Sequence, residues 1–178
     1  MGRRNAPRLA LAAVGLVAIA ACVVNLSFDM NQPDLALKSA GPGAISQSIQ
    51  VDLNSYPDVK AHQKDIKSLD LDAVDATITA VNVPANQAHT LSLTLALRKD
   101  ISDPPENDVK IGNLDSFMVL QNSTRRIQGN PSVDAFLMDR FQNGGKFFLI
   151  VSGTTDNATD IVLDLNLHAS MAYDTGLF

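Results

Sequence analysis

Cysteine, tryptophan and glutamate are nearly missing from this 178-residue chain, and each shortage excludes something. A single cysteine, Cys22, allows no disulfide framework, no thiolate metal cluster and no dithiol redox pair. With no tryptophan and only two tyrosines, Tyr56 and Tyr173, the chain lacks the exposed rings on which sugar-binding sandwiches stack their ligands, which disfavours a saccharide partner. Glu106 is the one glutamate among 19 acids. Aspartate bonds its own backbone and favours turns and caps, whereas glutamate favours helix, so this acid set points to a turn-rich, mainly β chain. Three of the 14 basic residues, Arg3, Arg4 and Arg8, and none of the acids fall in the first 21 positions, which leaves the remainder at −8. Such a surplus opposes phosphate-backbone binding, which needs clustered Lys and Arg, so no nucleic-acid partner is expected. Nor is there a long hydrophobic run: the 13 uncharged residues from Leu9 to Ala21 fall short of the roughly 17–25 that a spanning helix requires.

That run has the length of the apolar region of an export signal, and it follows the basic stretch Met1–Arg8. It ends in Ile19-Ala20-Ala21-Cys22. This string resembles the lipobox of bacterial lipoproteins, in which an aliphatic residue and two small ones precede a cysteine. The resemblance implies a diacylglycerol on the Cys22 thiol, cleavage before Cys22 and acylation of the new amino terminus. Several acyl chains anchor a protein stably where one alone is marginal. Val23, where an aspartate would signal retention at the inner membrane, implies an outer-membrane address in a bacterial cell envelope. The expected organisation is a signal peptide over 1–21, an acylated cysteine with a tether over 22–44, and one domain over 45–178. Asn25, Asn31, Pro33, Gly41, Pro42 and Gly43 supply the tether reading for most of that segment, with Leu35-Ala36-Leu37 a candidate edge strand.

Beyond Ser46 the chain alternates with period two. The clearest runs are Leu91, Leu93, Leu95, Leu97 and Ile161, Leu163, Leu165, Leu167. Lys146–Val151 is apolar on both faces and reads as a central strand, with Phe117–Leu120 a shorter candidate. Two segments depart from this pattern. Asn130-Pro131 offers a cap and an N1 proline to a helix over 131–142, which Gly144 ends. A second helix is expected over about 57–67. The fold class that follows is mainly β, an antiparallel β-sandwich with one or two short crossover helices. Val51–Val83 also looks like the strand–helix–strand pattern of secreted bacterial sandwich domains of unassigned function, which bears on the fold alone.

Motifs for chemistry are sparse. His62, His89 and His168 lie far apart, with no H-E-x-x-H among them. No G-x-S-x-G elbow exists, and Ser152, beside Gly153, ends a buried strand. Asp100, Asp103, Glu106 and Asp108 crowd one proline-containing loop and are calcium candidates, since calcium takes six to eight hard oxygen ligands. Asp70, Asp72 and Asp75 form a second acidic group. No cofactor is expected. The function expected is a non-enzymatic, membrane-anchored sandwich that binds another envelope protein or plays a structural part. The alternative is a carrier or chaperone for a lipid or other apolar molecule, with a groove between the Leu91–Leu97 and Ile161–Leu167 faces. A hydrolase is third and needs an Asp/His or Asp/Asp pair converging in a pocket.

Overall fold

The leucines that alternate along residues 91–97 and 161–167 lie on the inner faces of two stacked sheets, each of them 0–1% exposed. In the computed structural model, which describes residues 22–176, the elements are β1 (Val23–Ser39), β2 (Gly43–Asp52), α1 (Pro57–Ala61), β3 (Ile66–Val81), β4 (Thr90–Arg98), β5 (Val109–Met118), β6 (Thr124–Gln128), α2 (Pro131–Gln142), β7 (Lys146–Thr155) and β8 (Thr159–Asp174). The leader reading of residues 1–21 lies outside the described residues. One sheet has the order β1-β8-β3-β6 and the other β2-β7-β4-β5, and all pairs are antiparallel. Eight strands in these two orders make a jelly-roll sandwich, a finer topology than alternation alone discloses.

Strict alternation explains why the sheets stack. Along β8 every odd residue from Ile161 to Met171 is buried and every even one is partly exposed. Phe147 and Phe117, 0% and 1% exposed, fill the space between the sheets. Fully burying an aliphatic or aromatic side chain contributes about 1.5–3 kcal/mol, so this stripe is a dominant source of stability. β7 lies between β2 and β4, the central position expected for a strand apolar on both faces.

Helix α2 spans the expected residues. Asn130 Oδ1 accepts from the backbone N–H groups of Ser132 (3.1 Å) and Val133 (3.3 Å), and Pro131 opens the helix. Its buried face is Val133, Leu137 and Arg140, and Phe136 meets Phe147 edge to face at 5.8 Å. The earlier helix is shorter than expected. α1 stops at Ala61, and Ile66 has to be delivered to the register it shares with Tyr173 of β8, so residues 62–65 turn instead.

The tether expectation is corrected. Residues 23–39 form the edge strand β1, paired with β8 from Val23↔Asp174 to Ser39↔Thr159. Phe28, Met30, Leu35 and Leu37 point into the core. A bulge between Gln32 and Leu35, with Asp34 at φ 60°, interrupts the alternation, which is why the segment reads as loop in one dimension. Residues 23–39 therefore belong to the sandwich.

The registers also sort the loops. Cys22, the end of β8, the α1 connection, the β4–β5 loop and α2 lie at one end of the sandwich. The β1–β2, β3–β4, β5–β6 and β7–β8 connections lie at the other.

Candidate functional site

Alternation that buries one face of the β1-β8-β3-β6 sheet leaves the other face polar. Register then decides which polar residues meet. Asp29 of β1 lies opposite His168 of β8, and Asn31 opposite Asn166; Asn166 is in turn opposite Asp75 of β3, and Asp75 opposite Arg126 of β6. Directly paired side chains have Cβ atoms about 4.5–5.5 Å apart, and diagonal ones remain within reach of long side chains.

The result is a chain of charge crossing all four strands. His168 Nδ1 sits 2.7 Å from Asp29 Oδ1, and its Nε2 sits 3.0 Å from Asp75 Oδ2. Arg126 holds the same carboxylate from the other side, Nε at 2.9 Å and Nη2 at 3.0 Å. The hydrogen bond to Asp75 chiefly raises the His168 pKa above its ordinary value; burial opposes this, and Asp29 adds to the rise. Both ring nitrogens thus serve carboxylates. A general base must keep one nitrogen for the proton it removes, so this arrangement is not that of a Ser-His-Asp triad.

Beside the charge chain lies a groove of about 380 Å³, lined among others by Asn31, Asp75, Thr77, Thr79, Asp164 and Asn166. The β1 bulge builds its wall. Asp34 donates its backbone N–H to Asp164 Oδ1 at 2.9 Å. Asn166 Oδ1, shut off from solvent, has no donor among the described residues. The lining is polar, with two carboxylates that only accept, three amides and two hydroxyls. Chemically it favours a ligand that brings hydrogen-bond donors.

No family model matches the chain, and no curated protein matches it. Among solved structures it is similar to Desmodium yellow mottle tymovirus, at 12% identity over 98% of this chain and 99% of that one, TM-score 0.39. It is also similar to the decameric BFDV capsid protein, at 10% identity over 84% and 99%, TM-score 0.40. Turnip yellow mosaic virus follows at 11% identity over 99% and 93%, TM-score 0.40. Likeness at this level carries no argument about function.

The calcium candidates Asp100, Asp103, Glu106 and Asp108 lie around the β4–β5 loop. Among the described residues no group of three or more His, Cys, Asp or Glu side chains is placed to hold a metal. Asp108 is taken by Arg98 in a two-point pair, Nε–Oδ1 2.6 Å and Nη2–Oδ2 2.8 Å, with both side chains about 15% exposed or less. Asp100 Oδ1 accepts from the Ser102 backbone N–H (3.0 Å) and hydroxyl (2.8 Å), bonds that hold its carboxyl below the usual carboxylate range. Asp103 Oδ2 accepts from the Asp100 N–H at 3.0 Å. Glu106 sits in a short 3-10 turn after Pro104. The acids organise their own loop and do not converge.

His62 stacks on Tyr173, centroids 3.7 Å apart, and the backbone N–H of His89 donates to Asp156 Oδ1 at 3.0 Å. Neither meets His168. Of the sequence candidates, Asp75 and His168 come together, while Asp70 and Asp72 turn to serines: Ser68 donates to Asp70 and Ser170 to Asp72. Sequence reasoning passed over Asp29, Asn31, Asp164 and Asn166. Asp164 and Asn166 alternate with the β8 leucines in the sequence, whereas Asp29 and Asn31 fall in the segment read as a tether, and the meeting of all four depends on register.

Proposed function

We propose that this chain is a bacterial envelope lipoprotein, acylated at Cys22 after removal of residues 1–21 and carried on the outer membrane, whose domain acts by binding or structural contact. The observation that carries this reading is Cys22 itself. The one thiol of the chain closes the string Ile19-Ala20-Ala21-Cys22, is exposed, and immediately precedes β1. A thiol there is free to take a diacylglycerol without disturbing the core.

Binding is favoured over hydrolysis by the polar face. His168 is committed to two aspartates, and the one hydroxyl–carboxylate contact of the adjacent groove, Thr79 Oγ1 donating to Asp164 Oδ1, is long at 3.5 Å. Carriage of an apolar molecule loses its motive, because a lipid-sized tunnel would leave the Leu91–Leu97 and Ile161–Leu167 side chains accessible, and they are 0–1% exposed.

The test is metabolic labelling with a clickable fatty acid in a bacterial host. The Cys22→Ser variant is expected to lose the label and to persist as the uncleaved precursor. A variant that is processed normally, or a native chain that takes no label, refutes the reading.

A further inference from the structure

There is no slack between Cys22 and the fold. Its carbonyl oxygen accepts from both the backbone N–H and the hydroxyl of Thr175, each at 3.1 Å, and Val23 is already in register with Asp174. The turn before β3 packs against the same tip: His62 stacks on Tyr173, Asp174 donates its N–H to the Asp65 carbonyl at 3.0 Å, and Lys67 Nζ lies 4.0 Å from Asp174. Val23 and Val24, large apolar residues, are 57% and 37% exposed at this tip. A strand rises about 3.3 Å per residue, so both lie within roughly 7 Å of Cys22. The interfacial layer of one leaflet is about 5–7 Å deep, and lysine stems can lie along apolar surface with their heads in water.

We propose that this tip of the β1-β8-β3 sheet is a bilayer-contacting surface. Val23, Val24 and the 62–65 turn sit in the headgroup layer, and the long axis of the sheet points away from the membrane. The alternative posture, lying on the polar face, would press Asp29, Asp75, Asp160 and Asp164 toward lipid phosphates, whereas at the tip of this sheet Lys60, Lys64 and Lys67 stand against Asp58, Asp65 and Asp174. A strand of 17 residues then places the far loops, where Val83 is 79% exposed, roughly 50 Å from the bilayer. The inference rests on acylation at Cys22.

Because the chain has no tryptophan, a single introduced one reports without background. The full acylated chain is reconstituted in phosphatidylcholine vesicles containing brominated lipid, as Val24→Trp and, separately, Val83→Trp. The Val24→Trp fluorescence is expected to fall at least two-fold relative to vesicles without bromine, and Val83→Trp to stay unchanged. Inserting about ten Gly/Ser residues between Cys22 and Val23 adds a flexible reach of roughly 17–19 Å and should abolish the quenching. Equal quenching at both positions, or none at Val24→Trp, overturns the proposal. Fatty-acid labelling of the same preparation separates the two failures. An unlabelled chain refutes the anchor and with it the surface, whereas a labelled chain with unquenched Val24→Trp refutes the surface alone.

Discussion

Replacing His168 by glutamine should destabilise the domain in acid and cost far less in alkali. His168 gains two carboxylate partners on folding, so its folded pKa lies above the unfolded value of about 6.5. A group whose pKa rises on folding contributes stability that is complete below the unfolded value and disappears as pH climbs through the folded one. The geometry limits the size. Two charge-assisted hydrogen bonds would contribute about 1.5–3 kcal/mol each if buried. The His168 and Asp75 side chains, however, are 28% and 27% exposed, and Asp29 is 52% exposed, so solvent screening reduces the Asp29 contact to well under 1 kcal/mol. A total of about 1–2 kcal/mol remains at pH 5.5. For a domain of this length that is roughly 2–8 °C in Tm. Thermal melts of the native chain and His168→Gln from pH 5 to 9 measure it as a difference of Tm, which cancels the titration of other groups. A gap that stays constant across the range, or widens toward alkaline pH, refutes the linkage.

Other consequences follow from packing. Phe147→Ala empties a site that is 0% exposed and loses the edge-to-face contact with Phe136; a loss of about 3–5 kcal/mol by urea unfolding is expected, and a loss under 1 kcal/mol contradicts the tight core. Gly153→Ala would set a Cβ 1.9 Å from the Ser92 carbonyl oxygen, so β7 and β4 must part. Soluble yield should fall sharply and Tm should drop by more than for an exposed control such as Gly41→Ala, where nothing lies within 4 Å. Asp108→Ala removes both hydrogen bonds that hold the Arg98 guanidinium and should lower Tm in a thermal melt; an unchanged Tm contradicts the two-point pair. Millimolar calcium should leave the native Tm unmoved; a rise of several degrees would show that the 100–108 loop rearranges into a cation site.

What could be read from the sequence was whatever depends on neighbours along the chain. The α2 boundaries follow from Asn130-Pro131 and the glycines after Asn143, and β4 and β8 announce themselves because their leucines never miss a beat. β1 was hidden for a local reason. Pro33 and Asp34 sit in a bulge, so Phe28 and Met30 fall out of phase with Leu35 and Leu37 in the one-dimensional pattern although all four face the core. The site was less legible still. His168 was visible as an outward residue, but pairing Asp29 with it required bringing together residues 139 positions apart. A one-residue slip of β1 would have turned Asp29 inward and dissolved the charge chain. The calcium candidates show the converse. Proximity in sequence was clear, while the claim of Arg98 on Asp108 arises only when β4 and β5 pair.

The seating of Cys22 at the head of β1 also sets how the domain would bear force. A load between Cys22 and the opposite end of the sandwich runs along β1, and antiparallel ladder bonds lie across that direction, so the 23–39 ladder is sheared as a whole and its bonds share the strain. A load between Cys22 and the carboxyl end beside it, at Thr175, pulls the same two strands apart from one tip and breaks the pairs in turn, beginning with Val23 and Asp174. One ladder is thus tough to a tug along the sandwich and soft to a tug between Cys22 and Thr175.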